Sequence, residues 1–239
     1  WGIAKALHDE GAVVGFSSVE SLIERRVRPL ADSIGSPFVE ACDVTSDDDI
    51  RRVMTRWHEE QGEIDILVHA IAYAKREDLD GSFVDTSRDG FALALDVSAY
   101  SLVALVREAR PYLHRGSSVL TLSYYGAEKV VDHYNVMGPV KAALEATVRY
   151  LAHELGPKGI RVNAVNPGVV LTNLHKRGGM DEPTYEAFLE RSKETHPIGR
   201  VGTPQEVAEL IYYLASDKAS WITGATYQID GGRAQTCAR

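Results

Sequence analysis

Apolar strand-like runs alternate with helical ones along almost the whole chain, and this alternation constrains the fold more than any other feature. The runs are "AVVGFSS", "FVEACDV", "IDILVHAIA", "SSVLTLSYYG", "IRVNAVNPG" and "TYQIDGG", with helical spacing in the segments between them. A strand that is apolar throughout, rather than at every second residue, needs cover on both faces. Repeated strand–helix units of this kind imply a parallel sheet between two helix layers. Local signals agree. "TSDDDIRRVMTRWHEE" opens with Thr45 as candidate N-cap and three aspartates in its first turn, where the helix dipole favours them. "TPQEVAELIYYLAS" opens with a capping box from Thr203 to Glu206. "WGIAKALHDEGA" has helical spacing from its first residue, so a strand and a phosphate loop ahead of it are expected to be missing from this chain.

The predicted fold class is therefore α/β: a doubly wound parallel sheet of Rossmann type. It is read as a single domain over residues 1–239, with an extended substrate-loop insertion at about 169–202. The double glycine at 178–179 suggests a flexible lid in that loop. In such sheets ligands bind beyond the carboxyl ends of the strands. The segments that matter are then Ser17–Glu20, Asp43–Val44, Ala70–Ala74, Ser123–Gly126 and Asn166–Thr172.

Composition narrows the partners. A net charge of -8 argues against nucleic acid. No apolar run approaches the roughly 18 residues of a membrane span, and no signal-peptide pattern opens the sequence. Cys42 reads as a small core residue and Cys237 as part of the tail, with no metal-ligand spacing, so no metal and a reducing, cytoplasmic location are expected. "SDDDI" is a helix start. His69, His133 and His153 have no acidic partner at a telling spacing and read as core or surface residues.

The chemistry points to "YNVMGPVK". Tyr134 and Lys141 are separated by six residues, and Met137 stands four before the lysine. On one helix, seven residues advance about 700° and about 10 Å, which puts both side chains on nearly one face.

Over essentially its whole length the chain resembles the short-chain dehydrogenase/reductase superfamily, and within it most closely the bacterial enoyl-acyl-carrier-protein reductases. The resemblance rests on "CDV", "VHAIAYA", "DTSRDGF…DVSAYS" and above all "LSYYGAEKVVDHYNVMGPVKAALEATVRYLAHELGPKGIRVNA". Ordinary alcohol- or ketone-active members have three residues between tyrosine and lysine, and against them the shifted phenol is consistent with reduction of an enoyl thioester, where hydride reaches C3 while charge develops on the oxygen bonded to C1. The resemblance implies NADH-dependent reduction of the trans-2 double bond of an enoyl thioester on acyl carrier protein, in fatty-acid elongation, by a cytoplasmic homotetramer.

It also implies roles. Tyr134 hydrogen-bonds the thioester carbonyl, Lys141 holds the nicotinamide ribose, and Tyr124 is the second active-site tyrosine, ranked above its neighbour Tyr125. Ala74 contacts the acyl substrate through its backbone. Asp43 receives adenine, with turn-capping as its bland alternative, and Val44 packs beside the ring. Ala70, Ile71 and Ala72 line the nucleotide's path. Gly168, Val170 and Thr172 belong to the segment that cradles nicotinamide, and Val19 lies by the adenosine ribose. After "AVVGF" come Ser17, Ser18, Val19 and Glu20 with no cation, which favours NADH over NADPH. The last third reads like general short-chain dehydrogenases, with "NPGV" where the reductases have "SAGP". Two other readings stay open on that ground: another NAD(P)-dependent carbonyl or alcohol oxidoreductase, and a non-catalytic nucleotide-binding protein.

Overall fold

The computed structural model describes residues 1–172 and 180–235. Helix α1 (Gly2–Asp9) leads to strand β1 (Gly15–Ser18). Two short helices joined by a wide turn, α2 (Glu20–Leu22) and α3 (Arg28–Ser33), precede β2 (Phe38–Ala41). Then α4 (Asp47–Gln61) feeds β3 (Ile64–His69), and α5 (Arg88–Leu95) with α6 (Ser101–Ala109) feeds β4 (Leu113–Leu122). Helix α7 (Met137–Leu155) precedes β5 (Arg161–Pro167). Helices α8 (Glu182–Thr195) and α9 (Pro204–Ala215) precede β6 (Thr226–Ile229).

Every strand pairing is parallel. β1 pairs with β2, and β3, β4, β5 and β6 pair in that order. Among the described residues β1 and β3 are not hydrogen-bonded to each other. Pleating sends successive residues to opposite faces. Val119 of β4 and Val162 of β5 face α6 and α7, meeting Leu102, Val106, Leu144 and Val148. Their neighbours Leu120 and Val165 face α9, meeting Val207, Ile211 and Leu214. Ile50, Val53 and Met54 of α4 close over Phe38 and Ile64. Each such side chain contributes about 1.5–3 kcal/mol through burial. Helices thus cover both faces of parallel strands, the doubly wound arrangement that continuous apolar runs require.

Two local expectations are corrected. Ser46, not Thr45, caps α4, its hydroxyl accepting from the Asp49 amide. Thr45 is unavailable because Asp43 holds both its amide and its hydroxyl. The continuous helical run Arg88–Tyr112 is long and apolar enough by composition to cross a membrane, although charges such as Asp96 and Arg107 interrupt it in the sequence. Half of its apolar window is buried, against β4 and α7, as in the core helix of a layered α/β protein. The capping box from Thr203 to Glu206 is present as expected. Cys42 is buried, which pushes its thiol up to about 11. Cys237 and the glycines at 178–179 lie outside the described residues.

Candidate active site

The carboxyl ends of β3, β4 and β5 converge on one edge of the sheet. At the end of β3 the His69 ring is enclosed. Nδ1 lies 2.8 Å from Thr121 Oγ1, and Nε2 lies 2.8 Å from Ser101 Oγ. Burial, and then the charge of Lys141, lower it to about 3, so the ring is neutral and serves as a strut. Beyond it, residues 70–74 form no regular structure. Ile71 packs on the α4 cluster and Ala74 on the α7 cluster, while Ala70 and Ala72 are exposed. Ser98, fully buried in a wide turn between α5 and α6, fastens this segment from both sides. Its hydroxyl accepts from the Tyr73 amide at 2.9 Å and donates to the Tyr73 carbonyl at 3.0 Å. Nothing in the sequence singles Ser98 out, because serine in an apolar helix usually bonds its own backbone.

After β4 the chain stays extended through Tyr124 and tightens into a turn over Tyr125–Ala127. The Tyr124 ring meets the Tyr134 ring edge-on, with centroids 4.8 Å apart at 63°. Tyr125 turns the other way, with the Arg233 guanidinium 6.0 Å from its ring centroid. That settles which of the two neighbours faces Tyr134. Gly126 lies against both rings: an added Cβ would stand 2.5 Å from Tyr134 Cδ1, 2.7 Å from its Cε1 and 3.5 Å from Tyr124 Cδ1.

Tyr134 is not on the helix. α7 begins at Met137, and both residues flanking the tyrosine adopt left-handed backbone, His133 at φ 58 and Asn135 at φ 31. Histidine and asparagine tolerate that region better than branched residues do. Asn135 Nδ2 also donates to the Gly81 carbonyl at 3.3 Å. The expectation of one helix carrying both Tyr134 and Lys141 is therefore replaced by a loop-borne phenol and a helix-borne ammonium. Burial, followed by the neighbouring Tyr124, pushes the Tyr134 phenol well above its ordinary range, so it remains a proton donor. Lys141 is 5 % exposed, and its Nζ donates to the Leu122 carbonyl at 2.7 Å. Burial lowers it to about 8, with Glu145 opposing the shift.

The remaining candidates occupy the two ends of this edge. Ser18 pairs with Ala41, and the Cys42 amide donates to the Ser18 carbonyl at 2.7 Å, which sets Val19 beside Cys42 and Asp43. Asp43 Oδ1 accepts from the Thr45 amide at 3.0 Å and its hydroxyl at 2.8 Å, so the turn-capping role is real. Its Oδ2 has no partner among the described residues. Val44 packs on the α4 cluster, and Val19 is exposed. At the other end Gly168 approaches Asp230 so closely that a Cβ would meet its Cα at 2.8 Å. Val170 bridges to Gly202, and the Thr172 carbonyl accepts from the Tyr185 hydroxyl at 2.9 Å. A cavity of about 360 Å³ lies elsewhere, at the amino ends of β1 and β2 beside Val14 and Pro37, away from the tyrosines.

A parallel α/β sheet with a buried tyrosine–lysine centre at its carboxyl edge is the arrangement of the short-chain dehydrogenase/reductase class. A family model described as "Enoyl-(Acyl carrier protein) reductase" matches residues 1–234. The enoyl-[acyl-carrier-protein] reductase [NADH] of Aquifex aeolicus is 44% identical over 233 residues, covering 97% of this chain and 85% of that protein. The Bacillus cereus enzyme of the same name is 44% identical over 234 residues, covering 97% and 90%. The crystal structure of the Aquifex aeolicus reductase matches with a TM-score of 0.90 at 43% identity, covering 98% of this chain and 91% of that one. That of the Anaplasma phagocytophilum reductase in complex with NAD matches with a TM-score of 0.90 at 39% identity, covering 99% and 87%. The chain belongs to the enoyl-acyl-carrier-protein reductase family.

Proposed function

We propose that this chain is an NADH-dependent enoyl-acyl-carrier-protein reductase. It reduces the trans-2 double bond of an enoyl thioester in fatty-acid elongation. The observation that carries the reading is the seat of Tyr134. Its phenol stands on a loop ahead of α7, packed by Gly126 and Tyr124, rather than on the helix with Lys141. A donor displaced in this way suits an oxygen one atom removed from the C2=C3 bond. An ordinary ketone would need the donor at the hydride-accepting carbon itself.

The donor groups of the site fit a nicotinamide dinucleotide. Lys141 has three ammonium protons and spends one on the Leu122 carbonyl. The other two have no partner among the described residues, and the vicinal hydroxyls of a ribose supply acceptors for them. Asp43 Oδ2 remains available to an adenine amine. Ala70, Ile71 and Ala72 let a backbone and a nucleotide approach closely. Gly168, Val170 and Thr172 line the nicotinamide end, and Val19 the adenosine ribose. Glu20 next to Val19 disfavours a 2′-phosphate and matches the NADH preference.

Bound NADH supplies the hydride that goes to C3. The Tyr134 hydroxyl donates to the thioester carbonyl oxygen and stabilises the enolate that develops there, a term worth about 3 kcal/mol for one such donor. Its elevated pKa keeps that proton on the oxygen across the physiological range. Lys141 adds positive charge beside the developing anion. Tyr124 braces the Tyr134 ring, and Ala74 offers its backbone to the acyl chain.

The acyl-carrier-protein partner, a homotetrameric assembly and a cytoplasmic location belong to the same reading, as does a single domain spanning residues 1–239. The exposed Tyr150 and Ala142 of α7 support a helix–helix contact between copies. The test is NADH oxidation with a crotonyl thioester beside a panel of ketones. Turnover of the thioester alone supports the reading, and ketone turnover without it would overturn it.

A further inference from the structure

We propose that Glu145 is a positioning residue of the reaction centre, fixing through Ser123 the strand end that carries Tyr124 and setting its carboxyl one helix turn from Lys141. The proposal rests on the reading of Lys141 as the ribose contact. Lys141 and Glu145 are four residues apart on α7, hence on one face and one turn apart. They engage two successive residues at the end of β4. Lys141 Nζ donates to the Leu122 carbonyl at 2.7 Å, and Ser123 Oγ donates to Glu145 Oε1 at 2.5 Å. The next residue is Tyr124, whose ring braces Tyr134. Ser123 is also held from the far side, its amide donating to the Val165 carbonyl at 2.8 Å. Two adjacent side-chain bridges from one helix turn thus pin the segment that sets the tyrosine pair.

Burial makes this arrangement unusual. Glu145 is 8 % exposed, Ser123 4 % and Lys141 5 %. Glutamate is among the residues least often enclosed without a partner. A hydroxyl at 2.5 Å has the length expected when the acceptor is an ionised carboxylate. The charged group that acts on Lys141 is Glu145 from its own helix, and His69 from β3, which feels the lysine's charge, is neutral. Burial, and after it the charge of Glu128, raise the Glu145 carboxyl above its ordinary range, while the Ser123 hydroxyl from β4 and Arg149 and Lys141 from α7 act to keep it ionised. Burial works against the ammonium, and the Glu145 carboxylate is the group that resists it. Without that charge, desolvation acts unopposed and the lysine releases its proton at lower pH.

Two substitutions separate charge from geometry. Glu145→Gln keeps an acceptor for Ser123 and removes the charge; Glu145→Ala removes both. Nitrogen NMR of the Lys141 ammonium in cofactor-free protein reads the titration directly. The parent should titrate near pH 8, and Glu145→Gln should titrate at a lower pH. An unchanged midpoint in Glu145→Gln overturns the electrostatic role. NADH affinity, followed by fluorescence, should fall at the same pH as the ammonium in each protein. If the parent titrates but its NADH affinity does not follow, the assignment of Lys141 fails, and Glu145 keeps its effect on the ammonium. At about pH 6.5, closer to the ordinary histidine range than to the lysine midpoint, both proteins keep Lys141 mostly charged. There kcat of Glu145→Ala should fall at least tenfold below that of Glu145→Gln, and equal kcat overturns the positioning role. Should Glu145→Ala not fold, Ser123→Ala removes the same bridge and must show the same loss.

Discussion

Gly126→Ala tests how the tyrosine is seated. Gly126 is not at positive φ, so the substitution strains no backbone and acts through the added methyl group. That methyl would lie 2.5 Å from Tyr134 Cδ1, about 0.9 Å inside the 3.4 Å at which ordinary contact begins. The ring cannot retreat freely, because Tyr124 packs edge-on against it with centroids 4.8 Å apart. The phenol must therefore move by about 1 Å, a displacement that costs on the order of 10²-fold when it misplaces a catalytic group. That corresponds to about 2.7 kcal/mol in the barrier. Overpacking of this size also costs about 1–3 kcal/mol of stability, so thermal unfolding must be measured alongside. The assay is kcat/KM for a crotonyl thioester, with the NADH dissociation constant as control. That constant should not change, because Lys141 and residues 70–72 are untouched. A double mutant gives the sharper result. In a Tyr134→Phe background the alanine should cost almost nothing further, since both act on one hydroxyl. Parent-like turnover in a folded Gly126→Ala protein, or full additivity with Tyr134→Phe, would refute the reasoning.

Tyr134→Phe alone should lower kcat by about 10²-fold, the loss expected for one oxyanion donor, with fold and NADH affinity retained. NADH affinity should be flat below neutrality and decline as pH rises through about 8, because the buried Lys141 ammonium is lost there; affinity that holds constant to pH 10 would contradict the role of the charge. Val19→Arg should move the ratio of kcat/KM towards NADPH by about tenfold, roughly 1.4 kcal/mol, and an unmoved ratio would place the adenosine ribose elsewhere. Light scattering should report a tetramer at micromolar concentration, and a monomer would remove the proposed helix interfaces.

Much of this was legible in the sequence because it depends on repeating chemistry. Runs such as "SSVLTLSYYG" are apolar on consecutive residues, and only cover on both faces satisfies them, so the parallel sheet followed directly. The capping box at Thr203 was legible because it is two short-range bonds within four residues. The tyrosine–lysine pair stood out by spacing, yet its geometry did not. "HYNVMG" contains no proline and no glycine before position 138, so nothing marks the left-handed residues that lift Tyr134 off the helix. What holds them is tertiary, including the Asn135 bond to Gly81, more than fifty residues away. Ser98 and Glu145 were missed for a related reason. Each looks like an ordinary helix residue, and its importance lies in a partner that only the fold supplies. Tyr124 and Tyr125 were indistinguishable by type, and the turn after β4 separates them by sending one ring to Tyr134 and the other to Arg233.

The most direct test of the central claim follows the hydride. The protein is incubated with a crotonyl thioester and NADH carrying deuterium at the transferable position of C4, and the product is examined by mass spectrometry and NMR. The account predicts a saturated butyryl thioester with one deuterium, located at C3, and a solvent-derived proton at C2. Recovery of the thioester unreduced, or deuterium on a carbon bearing a hydroxyl from a ketone substrate, would contradict it.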